Sequence, residues 1–341
     1  TGPEMQDALR YVFLLLLSFT EHGLIESGDG YVAQSEKASD VQLFPSPNSG
    51  ATNPRWISTS WIASTILGDS VSNEPIEVPL PKFKPHALQR IAFAGGTMVA
   101  TRSNDLSSSF AETSITLGMP LGSMDNPLAI TPGVRVDWMD APVSFGVPRD
   151  LYDIGLEFFH QRTLNDRWKF LGIVRPSIRS DFETGRTPVR TFGLALFLWD
   201  YLPERLTLSM GSVYLGRSDL PPLPAAGLIW TPNSRRRLEL QFPRSRWLAR
   251  IAKVDGVSET WLNNTIGIGG NTWMVRNALN QSEEMSLRDI RWTVGVQKTR
   301  SGGGGWFAET GLAMDRRLEF LTTDDAVSLS NAAVFSAGWS Y

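Results

Sequence analysis

The sequence has no cysteine, and only three histidines, His22, His86 and His160, in 341 residues. The first absence excludes a disulfide framework, a thiolate metal site, a cysteine nucleophile and a lipidated cysteine anchor. The second leaves too few imidazoles, too widely spaced, for a histidine-built metal centre. Charge of one sign is not in excess either: 32 Lys and Arg stand against 35 Asp and Glu, a formal net of −3. That balance is no footprint for nucleic acid. Charged residues make up 20% of the chain, below the soluble norm of about 25%. With 30 Gly and 21 Pro, the chain has too little of either for a collagen-like or wholly disordered protein. No apolar run reaches the roughly 20 residues of a membrane helix, so any membrane role falls to strands. Aromatic residues are plentiful, with 12 Trp, 17 Phe and 6 Tyr.

The most apolar run, Tyr11–Phe19, follows Arg10 and Met5, which reads as the initiator with Thr1–Glu4 ahead of it. Its length suits the apolar core of a secretory signal peptide over residues 1–20. Asp7 and the lack of a small-x-small site before Glu21 depart from that pattern, and a buried helix is the competing reading. Residues 21–87 are rich in Ser, Pro, Asn and Gly, as in Pro45-Ser46-Pro47-Asn48-Ser49-Gly50. They read as an exported linker with little core of its own, in which Trp56, Trp61, Ile62 and Ile66 form at most a small docking patch or helix. Residues 1–85 carry a net charge of −5 and residues 86–341 a net of +2, which marks a boundary near residue 86.

From residue 88 the apolar period is two. In Leu128–Met139 one face reads Leu128, Ile130, Pro132, Val134, Val136, Trp138; the other reads Ala129, Thr131, Gly133, Arg135, Asp137. Leu151–Gln161, Arg237–Phe242 and Leu287–Gln297 follow the same scheme. Helical spacing would mix charges with aliphatics, whereas strand spacing separates them. Phe192–Trp199 is apolar on both faces. Short turns at Leu164–Arg167, Tyr201–Glu204 and Pro232–Ser234 contrast with longer polar stretches at Asp140–Asp150, Ser180–Pro188, Ala278–Glu284 and Leu321–Ser328. That contrast suits an up-and-down meander with two unlike ends.

Segment length separates barrels in water from barrels in lipid. Soluble strands average about 5–6 residues, and membrane strands need roughly 9–11; several segments here reach the longer figure. Tyr152, Trp168, Trp199, Tyr214, Trp230, Trp261 and Trp292 lie near segment ends, as expected of rings at headgroup depth. The chain ends on Asn331–Tyr341, in which Phe335, Trp339 and Tyr341 share one face and Ser336, Gly338 and Ser340 the other. A terminal aromatic on an amphipathic strand resembles the assembly signal that outer-membrane barrels present to their insertion machinery. The predicted fold is therefore all-β: a single antiparallel barrel over residues 88–341, with 12 strands favoured in a range of 10–14. A soluble periplasmic β-sandwich is the competing architecture.

The block Leu223-Pro224-Ala225-Ala226-Gly227-Leu228-Ile229-Trp230-Thr231-Pro232-Asn233, followed by Leu238–Arg244, resembles a recurrent block of an uncharacterised family of bacterial outer-membrane β-barrels, a domain of unknown function. The resemblance implies a barrel over about residues 88–341 and supplies no catalytic residues.

The search for chemistry is mostly empty. His160 shares the parity of Tyr152–Phe158 and falls at the rim of the outward face, far from a serine-hydrolase arrangement. Gly302–Gly305 lacks the Lys-Ser/Thr ending of a phosphate-binding loop. Asn263-Asn264-Thr265 suits a lumen face better than a glycosylation site, and Asp153/Glu157 and Asp181/Glu183 are acidic pairs that any β protein of this size offers. Arg235-Arg236-Arg237 is a solvated cluster beside a turn, with a lipid headgroup contact as its second reading.

The informative charges alternate with apolar residues. Arg135, Asp137, Asp153, Glu157, Asp289 and Arg291 must line the lumen, because a charge on the lipid face at mid-bilayer costs about 2–4 kcal/mol. They either line water or pair with one another. No catalytic residue, metal or cofactor is expected. The expected partners are outer-membrane lipid, the insertion machinery and, for an open lumen, a small solute. The function that follows is a porin-like passive channel or transporter. The alternative is an anchor or adhesin whose lumen is plugged by ion pairs or by the linker.

Overall fold

The structure, a computed structural model, describes Leu80, Lys84 and residues 86–341 apart from 185–188, 204, 217–220, 278–280 and 321–324. The expected signal peptide, nearly all of the linker and its Trp56–Ile66 patch lie outside the described residues. Of two compact units, Thr1–Asp40 is likewise outside them, and the barrel belongs to Val41–Tyr341.

The described strands are β1 (Leu88–Ala100), β2 (Ser107–Leu121), β3 (Ser123–Asp140), β4 (Asp150–Thr163), β5 (Trp168–Ser180), β6 (Val189–Leu202), β7 (Leu206–Tyr214), β8 (Leu223–Asn233), β9 (Arg236–Gln241), β10 (Arg244–Val254), β11 (Ser258–Arg276), β12 (Ser282–Arg300), β13 (Gly305–Phe320), β14 (Asp325–Leu329) and β15 (Ala332–Ser340). Each pairs antiparallel with the next up to β13, and β15 returns to β1 with Ala92 opposite Ser340 and Ala100 opposite Ala332. The sheet is closed, which excludes the β-sandwich.

Both β14 and β15 pair with β13, at Arg316–Phe320 and Gly305–Ala313 respectively. They are two halves of one stave broken at Ser330-Asn331, so the fifteen strands make 14 staves. The favoured count of 12 was too low. The excess arises between Leu206 and Val254, where β7, β8, β9 and β10 have only 9, 11, 6 and 11 residues. These strands and the short turns between them use fewer residues apiece than the longer staves, so the same length of chain holds more of them.

The outward faces are apolar. On β3, Leu128 to Trp138 spans ten residue steps, about 33 Å along the strand. At a tilt near 40° this rises about 25 Å, the height of the apolar band of a membrane barrel. Aromatics flank that band. Trp168, Trp199, Trp230, Trp306, Trp339 and Tyr341 lie toward the end that holds both Leu88 and Ser340, and Trp138, Tyr152 and Tyr214 toward the other. Trp168 stacks on Trp199 at 5.6 Å, and Phe93 on Trp339 at 6.5 Å across the closing seam.

Two of the expected girdle residues sit elsewhere. Trp292 faces outward at mid-height, and Trp261 faces inward, paired with Gln297 and donating through Nε1 to Glu259 at 3.0 Å. The strand periodicity places Trp261 on the inner face with Asn263 and Thr265, and Glu259, itself paired with Arg250, gives its N–H a half-buried partner. No helix among the described residues is long and apolar enough to cross a membrane; the strands do so.

Candidate functional site

The inner faces carry the functional candidates. Arg135, Asp137, Asp153, Glu157, Asp289 and Arg291 all point inward and none is more than 6% exposed. Lining residues of a water-filled pore would keep wet side chains; these are packed. Arg135 donates through Nε to Asp137 at 2.8 Å and lies 3.4 Å from Glu112, with its guanidinium 3.8 Å over the Phe110 ring. Arg291 donates to Asp289 through Nε at 2.6 Å and Nη2 at 2.8 Å. Both pairs are two residues apart on one strand, the spacing that keeps side chains on one face. Arg237 and Glu239 repeat the device at 2.7 Å on β9.

Asp153 is shared across strands. Arg175 grips it through Nη2 at 2.9 Å and Nη1 at 3.3 Å, and Arg179 donates through Nε at 3.1 Å. The Arg175 guanidinium lies over Gly155, where a Cβ would come within 2.8 Å of Nη2. On the opposite wall Gly269 leaves the same kind of space for Asp289 and Arg291. Glu309 accepts from Ser336 Oγ at 2.8 Å, and Arg246 donates to Gln297 at 3.3 Å.

Arg175, Arg179, Glu239, Arg246 and Glu309 were not among the sequence candidates. The signal for Glu239 was present in the alternation of Arg237–Phe242. Arg175 and Arg179 share their inner face with Leu171 and Ile173, which hid them.

Apolar residues also fill the interior, contrary to the usual polar lumen. One cluster joins Met139, Leu151, Trp273, Val275, Met285 and Leu287 near the loop end, with Phe145 and Val147 of the β3–β4 loop packed against it. A second runs along the inner wall of β3–β8 through Phe159, Leu171, Ile173, Phe192, Leu196 and Ile229.

The rim is uneven. β9 ends at Gln241 opposite Gly227, and β10 begins at Arg244 opposite Gly267, yet β11 climbs on to Arg276. Deprived of β10 as a neighbour, the top of β11 pairs in parallel with the end of β5, Met274 opposite Ser180. Arg276 N–H donates to Asp181 Oδ2 at 2.7 Å and Asp181 N–H to the Met274 carbonyl at 3.4 Å. Arg190 and Glu284 add an ion pair at 2.6 Å from β6 to β12. An arch thus spans the low wall of β7–β10. The turns after β2, β4, β6, β8, β10 and β12 lie at the end that holds Leu88 and Ser340, the periplasmic end in such barrels, and the arch at the outer end.

A closed antiparallel barrel with an apolar belt between aromatic girdles is the architecture of the bacterial outer membrane, and this chain is an outer-membrane β-barrel. Residues 143–304 match a domain of unknown function, DUF6268. The match runs from the β3–β4 loop to the β12–β13 turn and includes the Leu223–Arg244 block, a narrower span than residues 88–341. Among similar solved structures are the beta domain of the Bordetella autotransporter Brka, with 12% identity, 75% of this chain and 99% of that one covered, and a TM-score of 0.36. Another is an outer-membrane channel from Pseudomonas putida F1, with 11% identity, 80% and 100% covered, and a TM-score of 0.40. A third is the translocator domain of the autotransporter NalP from Neisseria meningitidis, with 10% identity, 75% and 89% covered, and a TM-score of 0.29. No curated protein matches the chain.

The expected closing strand falls where the sequence put it: Phe335 and Trp339 face outward and Ser336 and Ser340 inward. His160 faces outward at the lower rim with Nδ1 3.1 Å from the Pro127 carbonyl. Among the described residues, no group of three or more His, Cys, Asp or Glu is placed to hold a metal ion.

Proposed function

We propose that the protein is a non-enzymatic transport barrel for small solutes, shut in this conformation by its interior packing and by the β5–β11 arch. The observation that carries the reading is the arch. One backbone pair and the Asp181 and Arg276 contacts hold two distant staves together across the low wall of β7–β10. A barrel that serves only as an anchor has no use for a closure of that kind. Phe335, Trp339 and Tyr341 act in assembly, as the aromatic face that the insertion machinery reads on the closing strand.

The test is planar-bilayer conductance and liposome swelling with refolded full-length protein. Wild type gives little or no steady conductance, and Asp181→Ala, which frees the Arg276 amide, raises opening frequency and small-solute flux. Silence in both proteins favours the second reading, an anchor or binding barrel with a plugged lumen. The burial of the lumen charges supports that alternative.

A further inference from the structure

We propose that the periplasmic base of β8–β10 binds the phosphate of an anionic phospholipid in the periplasmic leaflet, held by Arg235 and Arg236; the site needs only the outer-membrane location and does not rest on the transport reading. Strand parity splits the Arg235-Arg236-Arg237 run. Arg237 faces inward and pairs with Glu239 at 2.7 Å. Arg236 shares the outward face with Leu238 and Leu240, and Arg235 stands exposed in the β8–β9 turn. The turn itself is fixed. Asn233 pairs with Arg236 across it, the Arg235 N–H donates to Asn233 Oδ1 at 3.0 Å, and the Arg235 carbonyl accepts from the Arg250 N–H at 2.8 Å. Two arginines are thus presented on a backbone that has little freedom to withdraw them.

The charge around the turn is uncompensated. Among the described residues no carboxylate pairs with Arg235 or Arg236. The acids nearby are engaged elsewhere: Glu239 with Arg237, Glu259 with Arg250 at 3.1 Å and Asp255 with Lys253 at 3.0 Å. The β4–β5 turn is equally exposed but sets Asp166 between Arg162 and Arg167. A third arginine, Arg205 of the β6–β7 turn, lies beside the end of β8, where its carbonyl accepts from the Thr231 N–H at 3.4 Å. Its Nη1 is shielded from water, with no hydrogen-bond partner among the described residues. Three guanidinium groups gathered on two adjacent turns call for an anion.

Depth selects the ligand. Leu238 lies between Trp230 on β8 and Trp247 on β10, and outward rings of this kind mark the interface. Arg236 is two residues nearer the periplasm, about 5 Å lower at 3.3 Å per residue and a 40° tilt. That step carries a guanidinium from ring depth to the level of the phosphates. The other end of this flank gives no such purchase: the six residues of β9 rise only about 15 Å, roughly 10 Å short of the apolar band. Ala249, opposite Arg236 on β10, leaves the arginine room, and Leu238 and Trp247 above it offer an apolar surface to the start of an acyl chain. A guanidinium fork takes two phosphate oxygens at once. A zwitterionic head brings its own ammonium to compete with the arginines, whereas a glycerol head leaves the phosphate charge free, which favours the anionic lipid.

The experiment reconstitutes the full chain in phosphatidylethanolamine vesicles with a minor share of phosphatidylglycerol, extracts it in mild detergent and reads the retained lipid by native mass spectrometry. Wild type is expected to keep phosphatidylglycerol in preference to phosphatidylethanolamine. Arg235→Gln with Arg236→Gln should lower that retention at least tenfold, since each basic residue at an anionic surface contributes roughly fivefold. Arg236→Lys, which keeps the charge and loses the fork, should fall between. Arg162→Gln with Arg167→Gln should retain lipid as wild type does. A phosphatidylglycerol with a diazirine beside its glycerol should label Leu238 and Trp247 in the wild-type protein; this readout needs no variant and so survives misfolding, which heat-modifiable migration detects. Equal retention of the two lipids, label spread around the whole periplasmic rim, or equal losses in the two double variants overturns the site. A soluble tetra-aspartate peptide that binds through the same two arginines, with no phosphatidylglycerol retained, assigns them to an acidic protein segment and overturns it as well.

Discussion

Asp153→Ala is the perturbation that distinguishes a packed lumen from a wet one. The carboxylate takes three hydrogen bonds from Arg175 and Arg179, and all three side chains are buried. Removing it leaves two cations facing each other in a region with little access to water. Breaking a buried pair costs about 3–5 kcal/mol because the surviving charge stays desolvated. In a wet lumen the same pairs would contribute only about 0–1 kcal/mol. The packed interior therefore predicts a loss of about 4 kcal/mol, close to three decades in the unfolding constant at about 1.4 kcal/mol per decade.

Urea titration of the barrel in lipid vesicles, followed by tryptophan fluorescence, reads this as a fall in midpoint at unchanged slope. The triple variant Asp153→Leu, Arg175→Met, Arg179→Met should regain most of the loss, since apolar replacement of a whole buried ionic group is often neutral. A single-variant loss below about 1 kcal/mol would refute the packed interior and return the favoured reading to an open channel.

Other outcomes follow from the same geometry. Trp339→Asp and deletion of Tyr341 should each reduce membrane assembly several-fold, whereas Ser340→Asp, on the inner face, should assemble better than Trp339→Asp; equal heat-modifiable yields for all three would remove the closing-strand signal. Gly155→Ala should displace the Arg175 guanidinium, which a Cβ would meet at 2.8–2.9 Å, and should destabilise by about 1–3 kcal/mol as an overpacked core does; a urea midpoint equal to wild type would show that Arg175 has room to move.

Asp105, in the β1–β2 loop, is pushed up by burial, but hydrogen bonds from Ser330 and the Leu106 N–H, with the Arg316 charge, outweigh this and hold it below the usual carboxylate range. A lowered folded value contributes stability above the unfolded value of about 3.9 and loses it as pH falls through the folded one. The Ser330 amide, which donates to Asp105 at 2.7 Å, should therefore keep its NMR shift from neutral pH down to about 4 and move only in stronger acid. Asp105→Asn should abolish that titration.

Much of the barrel was legible because strand spacing sorts residues without reference to anything distant. The Leu128–Met139 alternation predicted which side chains of β3 face lipid, and the Asn331–Tyr341 pattern predicted the outward rings of the closing strand. The six predicted lumen charges all lie inside for the same reason. Their pairing was not legible: Asp153 meets Arg175 and Arg179 through a register that no local pattern encodes. Trp261 misled because an aromatic near a strand end looks alike on either face. The arch was invisible as well, since the contact of Met274 with Ser180 arises from what β7–β10 lack. Nothing within Gly270–Arg276 or Arg175–Ser180 records that absence.

The low arc of wall also acts on the bilayer. Lipids beside β9 meet an apolar surface roughly 10 Å shorter than that beside β3. Mismatch costs fractions of a kcal/mol per Å, so the leaflet thins along one flank of the barrel and keeps its normal thickness around the rest. A one-sided mismatch of this kind also gives the barrel a preferred direction of tilt, toward its shallow flank.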